Sequence, residues 1–376
     1  MQCYDTSQLV IDLTRDKTKI GKMKKKNCRT RVSTNTYPTM LIGISGTLSS
    51  GKTEVARYLT FQGFKLISFK QEGHESDATT PEEDEVSHQI TDLTVDADYK
   101  MEVFKHFDDL SALDNYVTVN WQDNFVISHI QDMNMLKALQ KRPFFLHISI
   151  DAPVYLRYQR SKLKNNFTLE QFVDKNDQLL FNVANPLIEI NNQAQVKIIN
   201  TSTSIKDLFI KLSELNLLNG SRLRPTWDSY FMRLADLAAL RSNCMKRRVG
   251  CVIVRENRVV ATGYNGTPRH LTNCNEGGCS RCNKGQGSGA LLATCLCLHA
   301  EENALLEAGR DRIRGESVLY CNTCPCLTCS IKIVQSGIRE VVYAQSYSMD
   351  LQSHKVMSEA NIILRQFHPP KDGIFI

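Results

Sequence analysis

The sequence predicts an α/β protein in two parts, a P-loop-like parallel α/β domain followed by a second α/β domain that carries a set of metal-type ligands. Three observations lead there. A buried-strand pattern, Met40-Leu41-Ile42-Gly43-Ile44-Ser45, runs into Gly46-Thr47-Leu48-Ser49-Ser50-Gly51-Lys52-Thr53 and then a helical stretch from Glu54. Strand and helix patterns alternate from there to about residue 217, which implies a parallel sheet. Further on, His299-Ala300-Glu301 is followed by Pro325-Cys326-Leu327-Thr328-Cys329, which together supply three zinc-type ligands and one unligated carboxylate.

The 376 residues suffice for two ordinary domains. A hydrophobic fraction of 42% and a charged fraction of 23% are those of a soluble globular protein, and no apolar run reaches bilayer length, so no membrane partner is expected. The net charge of +6 owes part of its size to Lys22-Met23-Lys24-Lys25-Lys26 and is a weak basis for nucleic-acid binding. Thirteen cysteines would suggest disulfides in a small secreted chain, but this chain is not small and opens without a signal-peptide pattern. Eleven of them fall between Cys244 and Cys329, and such clustering reads as metal binding. Asp5, Asp12 and Asp16 argue against a mitochondrial transit peptide. The expected location is cytoplasmic, with a nuclear presence left open.

Residues 1 to about 37 lack periodicity and read as a flexible tail, ahead of a first domain over 38–218. The Gly46–Thr53 segment fits G-x-x-x-x-G-K-[ST] at every defined position. In that motif Gly46 and Gly51 let backbone N–H groups approach phosphates, Lys52 reaches their charge and Thr53 can hold Mg²⁺. An ordinary strand-to-helix turn is the plainer alternative. Residues 71–98, with Glu82-Glu83-Asp84-Glu85, read as a solvated insertion. Strand patterns return at Phe125-Val126-Ile127, at Phe144 to Ile150 and at Val196 to Asn200, and an amphipathic helix spans Ile205 to Leu217. Arg157 and Arg160 read best as a solvated helix face, and Asp151 and Asp123 are candidates for a magnesium-side aspartate. This half resembles the P-loop nucleoside-monophosphate kinases and their relatives at the loop, which implies nucleotide binding and leaves phosphoryl transfer open.

The second domain spans 221–376, after a linker at Leu217-Leu218-Asn219-Gly220-Ser221. Thr226 is the expected N-cap of its first helix, with Tyr230, Leu234, Leu237 and Leu240 along one face. Gly250 to Val254 and Arg258 to Gly263 read as two strands. A helix starts near His299, a strand runs from Ser317 to Cys321, a helix follows Pro325-Cys326, and a strand covers Val341 to Ala344. The order α-β-β-α-β-α-β sets the ligands at the N-terminal ends of two helices, where metal-bound thiolates are stabilised.

Three protein ligands leave a fourth position for water, as in a catalytic rather than a structural zinc site. Zinc lowers the pKa of such a water, and Glu301 can serve first as its base and then as an acid. Backbone N–H groups near Ala300 and Cys326 are placed to support developing charge, which makes Ala300 a substrate-binding candidate. The plainer alternative is a structural zinc knuckle, but it needs a fourth ligand. The order H-x-E then P-C-x-x-C is the signature of zinc-dependent nucleobase deaminases.

Gly263-Tyr264-Asn265-Gly266-Thr267-Pro268, His299-Ala300-Glu301-Glu302-Asn303-Ala304 and Thr323-Cys324-Pro325-Cys326-Leu327-Thr328-Cys329 together resemble the deoxycytidylate (dCMP) deaminases over about 150 residues. The preceding P-loop half is similar to the longer fungal form of that family. The resemblance implies a three-layer α/β/α cytidine-deaminase-like domain and conversion of dCMP and water to dUMP and ammonia, supplying the thymidylate precursor. It also implies a homohexamer activated by dCTP and inhibited by dTTP; Mg²⁺ at the P-loop, with an allosteric nucleotide, is a separate expectation from Thr53. By motif, Asn265 contacts the sugar and Glu301 is the proton donor. Arg269 is one candidate for the substrate phosphate.

Some members of the family carry a second, structural zinc in the cysteine-rich insertion. Cys274, Cys279 and Cys282, with Cys297 or Cys295 as the fourth ligand, are candidates for it; reduced loop thiols are the alternative. Cys321 reads as core, Cys324 is not counted as a ligand, and Cys244 and Cys251 read as packed small hydrophobes. A tRNA or single-strand editor would need a basic surface with exposed aromatics, and the second half shows no dense basic stripe. A nucleotide-binding or kinase protein remains a reading of the intact Gly51-Lys52-Thr53.

Overall fold

A computed structural model describes residues 39–69, 101–162, 166–285, 294–346, 350–368 and 373–375. The expected tail and the expected acidic insertion lie outside the described residues. The described residues form one compact unit. Among the described residues no helix is long and apolar enough to cross a membrane.

The first half alternates strands and helices in the expected manner: β1 (Leu41–Gly46), α1 (Lys52–Phe61), β2 (Lys65–Phe69), β3 (Lys105–Phe107), α2 (Leu110–Val119), β4 (Phe125–Ile127), α3 (Met133–Leu139), β5 (Phe145–Asp151), α4 (Val154–Lys162), α5 (Leu169–Leu180), α6 (Leu187–Asn192), β6 (Val196–Ile199) and α7 (Ile205–Leu215). Every strand pairing here is parallel, and β1 lies between β4 and β5. Alternate residues of β1 enter two different cores: Leu41 packs with Phe125 and Ile130, while Ile42 and Ile44 pack with Leu59, Leu146 and Leu208. A central strand buried on both faces therefore reads as a continuous apolar run rather than an alternating one. Helix starts are fixed by the side chains of Asp109, Asp132, Thr168 and Ser204, each accepting a first-turn N–H.

The second half contains α8 (Trp227–Ala239), β7 (Gly250–Arg255), β8 (Arg258–Tyr264), α9 (Ser280–Asn283), α10 (Ala300–Ala308), β9 (Ser317–Thr323), α11 (Leu327–Ser336), β10 (Glu340–Gln345), α12 (Asp350–Glu359), β11 (Ile363–Gln366) and β12 (Gly373–Phe375). Five of the strands form a sheet in the order β11-β10-β9-β7-β8. β7 runs antiparallel to both neighbours, and β9, β10 and β11 are mutually parallel. Val252 and Val254 of β7 face Phe231, Met232 and Ala235 of α8, whereas Cys251 and Ile253 face Ala300 and Ala304 of α10 and Ile333 of α11. Helices cover both faces, giving the three-layer α/β/α arrangement.

Two glycines set how closely those layers approach. A Cβ on Gly250 would lie 2.0 Å from the Ala235 carbonyl oxygen, and one on Gly263 would lie 2.2 Å from that of Ala300. The close approach explains a departure from the expected face of α8. Its buried side is Phe231, Met232, Ala235 and Ala239, with small residues toward Gly250, while Tyr230, Leu237 and Leu240 are exposed. Leu spacing marked a helix but not its inner face. The domain boundary also departs from expectation, because the C-terminal β12 hydrogen-bonds in parallel with β6 and completes the first sheet. The region assigned to a second domain over 221–376 therefore sends its last strand into the first.

Candidate active site

His299 is the N-cap residue of α10 and Cys326 that of α11, with Cys329 in the first turn of α11. α11 follows β9, α10 comes after the cysteine-rich insertion and packs against β7 and β8, and the two N-termini meet at His299 and Cys326. Their positive ends favour thiolates there. The helices are also tied to their surroundings by side chains. Glu302 accepts from the His299 backbone N–H at 3.0 Å and pairs with Lys332 of α11. Asn303 donates to the Tyr264 carbonyl at 2.8 Å, joining α10 to β8, and Ser353 of α12 donates to the Pro325 carbonyl at 2.8 Å.

The structure brings the three ligand candidates together. His299 Nδ1 lies 3.4 Å from Cys326 Sγ and 3.3 Å from Cys329 Sγ, and all three ligand atoms fall within 4.8 Å of one another. Tetrahedral zinc with ordinary Zn–N and Zn–S bonds sets N···S separations of about 3.5 Å, so the donor set fits zinc in distance as well as in kind. Hydrogen bonding from Cys329 pulls the Cys326 thiol down to about 4, and the hydrogen bond with Cys326 pushes His299 up to about 9. Cys329 is pushed up by its hydrogen bond to Cys326 and by burial. Ligands that already share protons in this way release them when a divalent ion binds.

Glu301 lies beside this cluster, buried with 4% exposure. Burial pushes its carboxyl up to about 7, against the pull of His299. It belongs to none of the candidate ligand groups among the described residues. Ala300 is fully buried and begins α10, which directs its backbone toward the same corner.

Asn265 has backbone partners of its own beside β7. Its Oδ1 accepts from the Val249 N–H at 2.8 Å, and its Nδ2 donates to the Arg247 carbonyl at 2.7 Å. The amide holds the turn into β7 and keeps one further N–H and one lone pair for another partner. Arg269 is exposed and pairs with Glu307 at 3.4 Å.

The cysteine-rich insertion gathers more sulfur than expected. Cys244, Cys274, Cys282 and Cys297 form one group, and Cys279, Cys282, Cys295 and Cys297 another. Cys274 and Cys279 thus fall in different groups, and Cys244 lies among sulfurs instead of packing as a small hydrophobe. Its position one residue after Asn243, which receives the Thr267 N–H, brings it beside the insertion. No local spacing links residue 244 to 274, so the sequence offered no signal for it. Cys251 and Cys321 are fully buried in the sheet core and face each other across β7 and β9.

In the first half, the strand, loop and helix around Gly46–Thr53 are present, with Gly51 left-handed at φ 105°. The loop lies at the C-terminal end of β1, where α/β sheets bind ligands. Lys52 Nζ donates to the carbonyls of Gly46 and Thr47 at 3.1 and 2.8 Å, and burial lowers it to about 8. Thr53 is exposed. Asp151 ends β5 and accepts from Thr47 Oγ1 at 2.5 Å, whereas Asp123 precedes β4 at the opposite end of the sheet and pairs with Lys65. Arg157 and Arg160 are not a solvated face. Arg157 is 5% exposed and binds the Ala152 carbonyl and Asn176, and Arg160 binds the carbonyls of Ser50 and Ser202. Both arginines fix the loop from behind, which a helix-face pattern cannot reveal.

With this geometry in hand, comparison with known proteins is specific. The zinc-binding region of cytidine and deoxycytidylate deaminases matches residues 225–345. A deoxycytidylate deaminase of Schizosaccharomyces pombe is 49% identical, covering 89% of this chain and 99% of the relative. One from Saccharomyces cerevisiae is 51% identical, covering 72% and 89%. A crystal structure of dCMP deaminase from the cyanophage S-TIM5 in complex with dCMP and dUMP is 28% identical, covering 38% of this chain and 98% of that one, at a TM-score of 0.31. Similarity to the two yeast enzymes runs through both halves of the chain, and the chain belongs to the deoxycytidylate deaminase family.

Proposed function

We propose that the chain catalyses the zinc-dependent hydrolytic deamination of dCMP to dUMP and ammonia. The observation that carries this is the meeting of His299, Cys326 and Cys329 around one point, with the buried Glu301 beside them and outside the ligand set. These residues would hold the zinc, which supplies Lewis-acid activation of water when bound. Water adds to C4 of cytosine. Glu301 takes a proton from that water and delivers it to N3. It then takes the proton of the new C4 hydroxyl and delivers it to the departing amine, leaving the C4 carbonyl of uracil and releasing ammonia. A carboxyl held near neutrality exchanges protons in both directions at little cost. Backbone N–H groups at the start of α10 and α11, with the remaining capacity of the Asn265 amide, would orient the nucleotide.

The same reading gives the P-loop half a role as a nucleotide-binding accessory, with dCTP as activator, dTTP as inhibitor and Mg²⁺ accompanying the phosphates. Support comes from the loop at the C-terminal end of β1, with Lys52 and Asp151 beside it. A homo-oligomer, by family resemblance a hexamer, is consistent with the exposed apolar residues Trp227, Tyr230, Leu237 and Leu240 of α8 and its C-terminus. The cysteine-rich insertion would hold structural zinc. Ammonia release from the purified enzyme with dCMP, CMP, deoxycytidine and cytosine in single-stranded DNA tests the reaction. Turnover restricted to dCMP is expected; turnover of the DNA alone would replace this reading with a nucleic-acid editor.

A further inference from the structure

Five cysteines of the insertion and Cys244 beside it gather where one structural zinc needs four ligands. We propose that Cys244, Cys274, Cys279, Cys282, Cys295 and Cys297 form a two-zinc, six-thiolate cluster in which Cys282 and Cys297 bridge the two ions. The grouping itself carries the count. Cys244 and Cys274 join Cys282 and Cys297 in one quartet, Cys279 and Cys295 join the same pair in the other, and within each quartet all sulfurs lie within 4.8 Å. Four tetrahedral ligands per ion, with two of them shared, come to six thiolates for two ions.

Distances agree with this. Cys244–Cys282 is 3.8 Å, Cys279–Cys295 is 3.9 Å, Cys282–Cys295 is 3.7 Å and Cys282–Cys297 is 4.0 Å. Tetrahedral zinc with ordinary Zn–S bonds sets S···S edges of about 3.8 Å, whereas a disulfide would need about 2.05 Å. Edges near this length occur in both quartets, and each quartet keeps all its sulfurs within 4.8 Å. A single ion would leave two thiols packed against its ligands. Six thiolates also exceed the charge of two zinc ions by two, and donors approach a terminal sulfur of each quartet. The Met245 N–H donates to Cys274 Sγ at 3.4 Å, and the buried Arg281 guanidinium donates to Cys295 Sγ at 3.6 Å.

The cluster would join three segments of chain next to the catalytic corner. Cys297 lies two residues before His299, and Leu298 exchanges backbone hydrogen bonds with Gly266 at 2.8 and 3.2 Å. On the other side, Ser242 Oγ donates to the Asn265 carbonyl and accepts from the Cys244 N–H.

Metal content of the full-length enzyme by mass spectrometry, after zinc-replete expression and removal of loose metal, tests the proposal independently of the substrate. Three zinc ions per chain are expected, falling to two in His299→Ala and to one in Cys282→Ser. Two per chain in the wild type, falling to one in His299→Ala, would mean a single structural ion and overturn the proposal, as would iron with acid-labile sulfide. Should Cys282→Ser fail to fold, cadmium NMR of the cadmium-loaded wild type gives the same answer. Two tetrathiolate resonances split by mutual coupling through shared sulfurs are expected, and one unsplit tetrathiolate signal would contradict the cluster.

Discussion

At the scale of single residues, position relative to a helix end decides much of the chemistry. Asp228, in the first turn of α8, takes a bidentate pair from Arg365 at 2.8 and 3.1 Å and a hydrogen bond from Tyr320 at 2.9 Å. Burial pushes its carboxyl up, but the bonds from Arg365 and Tyr320 outweigh burial and hold it below the usual carboxylate range. A depressed carboxylate stabilises the fold above its unfolded pKa and loses that contribution as pH falls through the folded one. Asp228→Asn is expected to cost about 2 kcal/mol near neutral pH. In urea titrations the gap from wild type should narrow as pH is lowered below about 4; a gap that stays constant would mean the pair contributes through packing alone. His299, Glu301, Cys326 and Cys329 were legible in the sequence because their chemistry is written in short local spacings. The amide duties of Asn265 and the sulfur partners of Cys244 were not, since their partners arrive through the fold.

At the scale of elements, the site depends on how tightly α10 lies against β8. Gly263 allows that contact, and a methyl there would meet the Ala300 carbonyl and the Ala304 N–H at 2.2 and 2.4 Å. Gly263→Ala should therefore displace the helix carrying His299 and Glu301. Overpacking of this kind costs about 1–3 kcal/mol, and a displacement of about 1 Å at the reacting groups can cost about a hundredfold in rate. Thermal melting and kcat should fall together; a lowered Tm with kcat intact would show that the ligands do not depend on this contact. Element order in both halves was readable from alternating strand and helix patterns and from cap residues such as Thr226. The inner face of α8 was not, because small alanines fitted to Gly250 win over larger leucines, a preference visible only once β7 lies beside the helix.

At the scale of the molecule, the two halves share more than a linker, since β12 ends the chain inside the first sheet. No single-segment pattern could reveal that pairing, which joins residues about 175 apart in sequence. On the proposed nucleotide-binding role, Lys52 would supply the cation for the phosphates, and burial, which lowers its pKa to about 8, sets a sign for the pH dependence. Below that value the ammonium is already formed, and affinity is flat. Above it a proton must be taken up on binding, so calorimetric affinity for dCTP with Mg²⁺ should weaken by up to about tenfold per pH unit. Lys52→Ala should remove this dependence along with most of the binding, whereas an unchanged titration would exclude Lys52 from the contact.

On the proposed mechanism His299, Cys326 and Cys329 hold the zinc while Glu301 moves the protons. Measuring dCMP turnover and zinc content together in Glu301→Gln separates those roles most directly. The expected result is full zinc occupancy with kcat lowered by about 10²–10⁴-fold. Turnover close to wild type with zinc retained would contradict the assignment of Glu301 as the proton carrier.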